Sequence, residues 1–228
     1  CGQSEDLGGR RIITKKTYTF ATSTRHQVIK LHELATQTST MVTQPEFRDF
    51  SPSFDPAGRY LYFLSLRTFD PVYDSVQFEL SFPRAARPYL IALQARGRPP
   101  FEPEPQSLAK RPSQDAEPKP TPAPAAVRVD LDGIVSRIAA FPVPENRFAK
   151  IAGAADDQVV WSIAPIVGAH GRGGHKEEKG RLELFDLRTL RTEPVVDGVN
   201  DFEVSQDGTT LVYRDDKRLR ALPTLPKR

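Results

Sequence analysis

An all-β fold, arranged as a partial β-propeller of about three to four blades of four-stranded antiparallel sheet, is predicted by three observations. Short runs rich in Val, Ile, Leu, Tyr and Phe, bounded by Gly, Pro, Asp and Asn, occupy most of the 228-residue chain, as strands and their turns do. No segment holds a 3.6-residue apolar period over about ten residues, so helices are not the organising element. Two strand modules recur at intervals of about 40–50 residues, the spacing of propeller blades.

The modules are explicit in the residues. FSPSFDPAGRYLYFLSLR (50–67) and FEVSQDGTTLVYRDD (202–216) both run strand, aspartate–glycine turn, strand. The glycine supplies the positive φ that a tight hairpin needs, and this unit reads as the inner pair of a blade. HQVIKLHELATQTSTMVTQ (26–44) and GRLELFDLRTLRTEPVVDG (180–198) each carry an apolar strand, a Leu-Ala-Thr or Leu-Arg-Thr corner and a second strand. That unit reads as the outer pair.

Taken in order, residues 11–44 supply the outer half of one blade, with strands at Lys16–Phe20, Gln27–Leu34 and Thr40–Val42. Residues 50–93 with 130–143 supply a second, with strands at Tyr60–Ser65, Tyr89–Leu93 and Val135–Ala140. The third, 147–198, has strands at Phe148–Ala152, Gln158–Ile163, Arg181–Asp186 and Glu193–Val196. Residues 201–222 give Asp201–Val204, Thr210–Arg214 and Arg218–Leu222, a fourth blade one strand short. Propeller blades therefore span 11–96 and 128–228, and residues 1–10 are expected to be irregular. Between them, 97–127 is crowded with Pro, Glu, Lys, Ala and Ser. Such a composition cannot bury enough apolar surface to offset its ordering entropy, so it is expected to be a disordered insertion that splits the second blade before its last strand. GAHGRGGHKEEKG (168–180) has the same loop character.

Bulk composition narrows the function classes. Hydrophobic residues make up 38% of the chain and mean hydropathy is −0.46, with no apolar run near the ~18–20 residues of a membrane span. Net charge is +3, but 32 Lys and Arg are interspersed with 29 Asp and Glu. A nucleic-acid binder would concentrate its basic residues on one face or in one tract, so neither nucleic acid nor membrane is expected as a partner. The single cysteine, Cys1, excludes an internal disulfide and points to a reducing compartment. A chain that begins on Cys reads as a fragment of a longer protein. The alternative is an envelope lipoprotein, a non-enzymatic propeller binding module anchored at Cys1.

FRDFSPSFDPAGRYLYFLSLRTFDPVYDSVQFELSFPRAARPYL (47–90) resembles the tricorn protease family, in the second, seven-bladed propeller that precedes the catalytic domains. Matching stretches follow in VIKLHELATQT, VDLDGIVSRIAAFPVPENRFAKIAG and DGVNDFEVSQDGTTLVYRDDKRLRALP. Tricorn-type proteins are large cytoplasmic serine peptidases that trim oligopeptides downstream of the proteasome, and they assemble as hexamers. The resemblance implies a chain that serves as substrate gate and scaffold, with peptides and the remaining propeller, PDZ and catalytic domains as its partners. It also implies that the catalytic residues lie outside this chain.

The residues themselves offer no catalytic constellation. His32 reads as a surface residue of an outer strand, and His26 stands at the start of the same strand. His170 and His175, near Glu177 and Glu178, sit in a loop too glycine-rich to hold metal ligands at fixed geometry. No G-x-S-x-G elbow or phosphate-binding loop occurs, and Asp130 and Asp132 read as caps of a turn. No cofactor or metal is expected. The stretch that looks built for a task is the loop Arg67–Phe82, between the second and third strands of a blade. Phe69, Tyr73, Phe78 and Phe82 are expected to pack it down, Asp70 and Asp74 to cap its turns, and Arg84 and Arg87 to pair with those carboxylates. Arg67, Asp70, Tyr73, Asp74, Arg84 and Arg87 are thus the candidate site, as a loop that locks blades or docks neighbouring domains, or as a peptide-contacting rim.

Overall fold

A computed structural model describes residues 12–21, 24–34, 36–68, 71–73, 80–82, 84–101, 127–166 and 179–224. The expectations for residues 1–10, for the body of the proline-rich insertion and for His170 and His175 lie outside these residues. Among the described residues the structure is strands, apart from one 3-10 turn at Ile134–Arg137; no helix is long and apolar enough to cross a membrane.

The strands form consecutive antiparallel blades. β1 (Ile12–Ala21), β2 (Thr24–Glu33) and β3 (Thr38–Met41) make a meander. β4 (Arg48–Phe54) opens the next blade and touches β2 through a single parallel pair, Gln27 with Arg48. β5 (Tyr60–Leu66) follows β4, then a separate hairpin of β6 (Val72–Tyr73) and β7 (Leu80–Ser81). β8 (Arg87–Ala92) and β9 (Ile138–Ala140) complete this second blade in the order β4-β5-β8-β9. The third blade is β10 (Phe148–Ala154), β11 (Gln158–Ile163), β12 (Gly180–Asp186) and β13 (Arg191–Val199); the fourth is β14 (Asp201–Val204), β15 (Thr210–Asp215) and β16 (Arg218–Pro223).

The core lies between blades. Side chains alternate across a strand, and in the middle strands both faces are apolar. On β5, Leu61 and Phe63 pack with Ile29, Leu31, Tyr89 and Ile91 toward the first blade. Tyr62 and Leu64 of the same strand pack with Phe141, Phe148, Trp161 and Phe185 toward the third. β11 repeats the pattern: Val159, Trp161 and Ile163 face the second blade, while Val160 joins Leu182, Leu184, Phe202, Leu211 and Tyr213 against the fourth. Each fully buried side chain of this size contributes about 1.5–3 kcal/mol. The near-continuous apolar run YLYFLSL is the signature of a strand covered on both sides.

Close approach at the inner hairpins sets how the blades seat. A Cβ on Gly153 of β10 would lie 2.6 Å from the Phe54 carbonyl oxygen and 3.0 Å from Tyr62 Cε2. The Gly208 turn of β14–β15 (φ +75°) leaves 2.5 Å between a Cβ and the Ala155 amide nitrogen, and that amide donates to the Gly208 carbonyl at 2.9 Å. Between inner strands, the Ile151 and Gly153 amides donate to the Ser51 and Ser53 hydroxyls at 3.0 and 3.1 Å.

Two details depart from the sequence reading. The expected strand Val135–Ala140 is a 3-10 turn followed by the three-residue β9. Gly133 starts that turn at φ 65°, and Arg137 donates to the carbonyls of Ala92 (2.8 Å), Asp132 (2.7 Å) and Asp130, drawing the segment against β8 before it can extend. The loop after β5, expected as a plain connection, carries the β6–β7 hairpin. The insertion departs at Phe101, whose ring sits 4.9 Å from that of Phe141 between the second and third blades. It returns at Val127, which packs against the cluster between the first and second.

Replacing Gly208 with Ala should destabilise the fold by about 2–4 kcal/mol, from left-handed strain plus steric overlap. Gly198→Ala, with similar φ but nothing within 4 Å, should cost only about 1 kcal/mol; equal costs in chemical denaturation would refute the seating role. Asp207 gives a pH test. Its carboxylate accepts the Ser205 hydroxyl (2.5 Å), the Thr209 amide (3.1 Å) and the Thr209 hydroxyl (2.8 Å), which hold its pKa at about 2 against an ordinary 3.8. Because the folded value is depressed, the contribution of this turn is complete above about pH 4 and lost as pH falls toward 2. A carboxyl NMR titration should place the Asp207 midpoint below that of the unfolded chain.

Candidate functional site

The loop root is fixed at both ends by an arginine. Strand register places Asp49 of β4 opposite Ser65 of β5, and Ser65 opposite Arg87 of β8. The next residue out, Arg67, sends Nη2 to both carboxylate oxygens of Asp49 at 3.3 Å and Nε to the Ser65 hydroxyl at 2.9 Å. Ser65 in turn donates to Asp49. The guanidinium lies among three rings, 4.7 Å from the Phe47 centroid, 4.8 Å from Tyr89 and 5.4 Å from Phe63. Asp49 is wholly buried and only 17% of the Arg67 side chain is exposed. A buried carboxylate is tolerable when it is paired and hydrogen-bonded in this way. Burial raises the Tyr89 phenol pKa, opposed by the positive charges of Arg67 and Arg87.

Arg87, where the loop returns, donates twice to the Phe141 carbonyl (3.1 and 2.9 Å) and pairs with Glu145 at 3.4 Å. Glu145 also accepts the Thr68 hydroxyl at 3.1 Å, so the linker to the third blade is tied to both strands that bracket the loop. Arg67 and Arg87 therefore serve the blade rather than standing free at its rim. Tyr73 is 58% exposed on β6, beside exposed Val72, with exposed Phe82 across the hairpin. Arg84 is exposed. Asp70 and Asp74, and with them the expected pairing to Arg84, lie outside the described residues.

Beyond the linker an open groove of about 570 Å³ runs along the third blade past Pro144, Phe148, Arg181, Glu183 and Pro194. In its floor the Trp161 indole donates to Glu183 at 3.1 Å, and Arg181 Nε donates to the same carboxylate at 2.8 Å. Inner strands β4, β10 and β14 stand side by side, and Lys150 of β10 reaches Asp201 at 3.0 Å and Glu203 of β14. This wall is polar: Ser51, Ser53, Lys150, Asp201 and Glu203. At the other end of the blades Arg59 joins Asp55 (2.8 Å) to Asp157 (2.5 Å). Burial works against its charge, but these two carboxylates outweigh it and raise its pKa. Arg188 meets the same Asp157 at 3.7 Å.

Several side chains considered from sequence have structural partners. His32 Nδ1 lies 2.9 Å from the Ser39 hydroxyl. Asp130 accepts the Ala95 amide at 2.9 Å, across to the strand end rather than within its own turn. Among the described residues no group of three His, Cys, Asp or Glu is placed to hold a metal. Sequence reasoning missed Asp49, Glu145 and the Lys150 cluster; each becomes visible only when register brings distant residues together.

Antiparallel blades packed face to face, with polar inner strands side by side, define a β-propeller domain. The chain belongs to the family described as the tricorn protease second beta propeller domain, which matches residues 16–224. It is 37% identical over 200 residues to "Tricorn protease homolog 1" of Streptomyces coelicolor, covering 86% of this chain and 19% of that protein. It is also 37% identical over 180 residues to "Tricorn protease homolog" of Saccharolobus solfataricus, covering 78% and 15%. Among solved structures, "Crystal structure of the tricorn protease" superposes with a TM-score of 0.75 at 23% identity, covering 94% of this chain and 20% of that one. TolB from Acinetobacter baumannii shares the fold at a TM-score of 0.53 and 11% identity, covering 96% and 40%. The chain thus spans about a fifth or less of these tricorn relatives.

Arg67→Ala should destabilise the domain by about 3–5 kcal/mol, because it strands the Asp49 carboxylate in the interior. Arg67→Lys should recover little of this, since an ammonium cannot make the forked contact or stack among the rings. Full recovery by Lys in urea denaturation would disprove the clamp.

Proposed function

We propose that this chain is a non-catalytic gate and scaffold within a large cytoplasmic, oligomeric tricorn-type serine peptidase acting on oligopeptides. The observation that carries the reading is the membership of residues 16–224 in the tricorn second-propeller family. The polar inner wall supports it. A surface of Ser51, Ser53, Lys150, Asp201 and Glu203 suits passing contacts with a peptide backbone better than tight capture, because each charged group already has a partner across the strands. The loop face supports a rim that is rigid at its base and exposed at its tip: Arg67 and Arg87 fix the strands, while Tyr73 and Arg84 are exposed. Chemistry is assigned to other parts of the parent chain.

Alanine at Tyr73 and Arg84 in the parent peptidase tests this. Surface substitutions of this kind should change stability by no more than about 0.5 kcal/mol. The expected result is an unchanged melting temperature with a several-fold change in relative cleavage of short and long peptides. Unaltered rates across a peptide-length series would remove the rim role.

A further inference from the structure

The outer strand of the third blade departs from a regular ladder at two points. β11 and β12 pair without a shift. Along β12–β13 the pairs run in step from Asp186 with Arg191 to Glu183 with Pro194, but Leu182 then faces Val196 and Gly180 faces Val199. Val195 and Gly198 are the extra residues, and Gly198 sits at φ 78°, the left-handed setting of a glycine bulge. The first bulge decides where Asp197 points. Side chains alternate along a strand, and a one-residue slip moves them to the opposite face. Thr192 and Pro194 lie opposite Phe185 and Glu183, on the face toward the second blade. Unbroken alternation would continue that face with Val196 and turn Asp197 toward the fourth blade, among Leu182, Leu184 and Val199. With Val195 inserted, both valines pack against that apolar cluster. Asp197 instead comes opposite Arg181, on the face of the open groove.

There it is an unmatched charge. Asp197 is exposed and has no hydrogen-bond or ion-pair partner among the described residues. Its cross-strand neighbour Arg181 is committed elsewhere: Nε donates to one oxygen of Glu183 at 2.8 Å, and the Trp161 indole donates to the other at 3.1 Å. Arg181 and Glu183 neutralise each other, so the net charge of the groove lining is that of Asp197. The remaining surface is largely apolar, with Pro144 and Pro194 exposed at the walls and Phe148 and Trp161 buried in the floor. The volume of about 570 Å³ falls within the roughly 300–1,000 Å³ of ligand pockets.

We propose that this groove binds a basic side chain of an oligopeptide. Asp197 is the counter-ion to its ammonium or guanidinium, and Pro144 and Pro194 flank its aliphatic stem. The same carboxylate repels an acidic side chain, which supplies the discrimination. Charge complementarity sets the chemistry of the occupant. That it belongs to an oligopeptide rests on the gate reading, to which the groove adds a preference for basic residues.

Trp161 is the single tryptophan of the chain and lies in the groove floor, so its fluorescence reports occupancy. The test titrates the 228-residue chain with a capped Ala-Lys-Ala peptide, and with the same peptide carrying norleucine or glutamate in place of lysine. The lysine peptide should bind at least threefold more tightly than the norleucine one, and the glutamate peptide should give no saturable change. Asp197→Asn should bring the lysine peptide to the norleucine level with circular dichroism unchanged, and Asp197→Lys should reverse the preference toward glutamate. Equal binding of the lysine and norleucine peptides, no saturable response from any of them, or no effect of Asp197→Asn overturns the proposal. n-Butylammonium bound as tightly as the lysine peptide removes the oligopeptide as occupant. The gate reading fails separately, in the peptide-length series of the Tyr73 and Arg84 variants, which does not depend on this titration.

Discussion

The second and third blades must each be covered on two faces at once, and that requirement organises the rest. A single twisted sheet with one apolar face can stand beside solvent; β5 and β11 cannot, because Leu61, Tyr62, Phe63 and Leu64 on the one, and Val159, Val160 and Trp161 on the other, are all buried. Neighbouring blades are the cover. The aromatic cluster of Phe141, Phe148, Trp161 and Phe185, with rings 5.3–5.8 Å apart and mostly edge-on, fills the widening gap between the second and third blades. Near the axis the gap closes, and there glycine replaces aromatic: Gly153 and Gly208 sit where no Cβ fits. Bulk outside and bare backbone inside is what a radial arrangement of flat layers demands.

Charge is used at the ends of the blades, where strands run out and ladder bonds stop. Arg67 on Asp49 closes one end of the second blade, and Arg59 between Asp55 and Asp157 ties the opposite end to the third. The two differ in kind. The Asp49 pair is buried, so its worth lies in not leaving a carboxylate unmatched. The Asp55–Arg59–Asp157–Arg188 chain starts on a buried carboxylate, Asp55, and runs outward through part-exposed Arg59 and Asp157 to Arg188, so its outer contacts are modest ones that salt will weaken. Recognition, if it takes place on the loop face, is therefore carried by what these clamps leave outside.

Much of the architecture was legible because the two-faced strands write continuous apolar runs, as in YLYFLSL and QVVWSI, and because Asp-x-Gly turns recur at equivalent places. What escaped has physical causes. β6 and β7 are two residues each, too short for any alternation to register. Ile134-Val135 has the composition of a strand, and only the bonds of Arg137 to three carbonyls turn it into a 3-10 segment. Arg67 and Arg87 were found as candidates, but their roles were not, since Asp49 in FRDF resembles an ordinary surface acid until pairing sets it opposite Ser65. Tyr73 read as a packing aromatic and keeps 58% of its surface exposed, because a lone aromatic in a polar loop writes no periodicity that would fix its degree of burial.

The anchorage of the proline-rich insertion has an evolutionary consequence. Its two ends are pegged at different seams, Phe101 in one and Val127 in the next, on opposite faces of the second blade. Doubling the length of a chain held between fixed ends costs only about 0.6 kcal/mol of closure entropy. Descendant sequences are thus free to lengthen, shorten or rewrite the residues between with little penalty, while the two pegs stay under the strict selection of the interior.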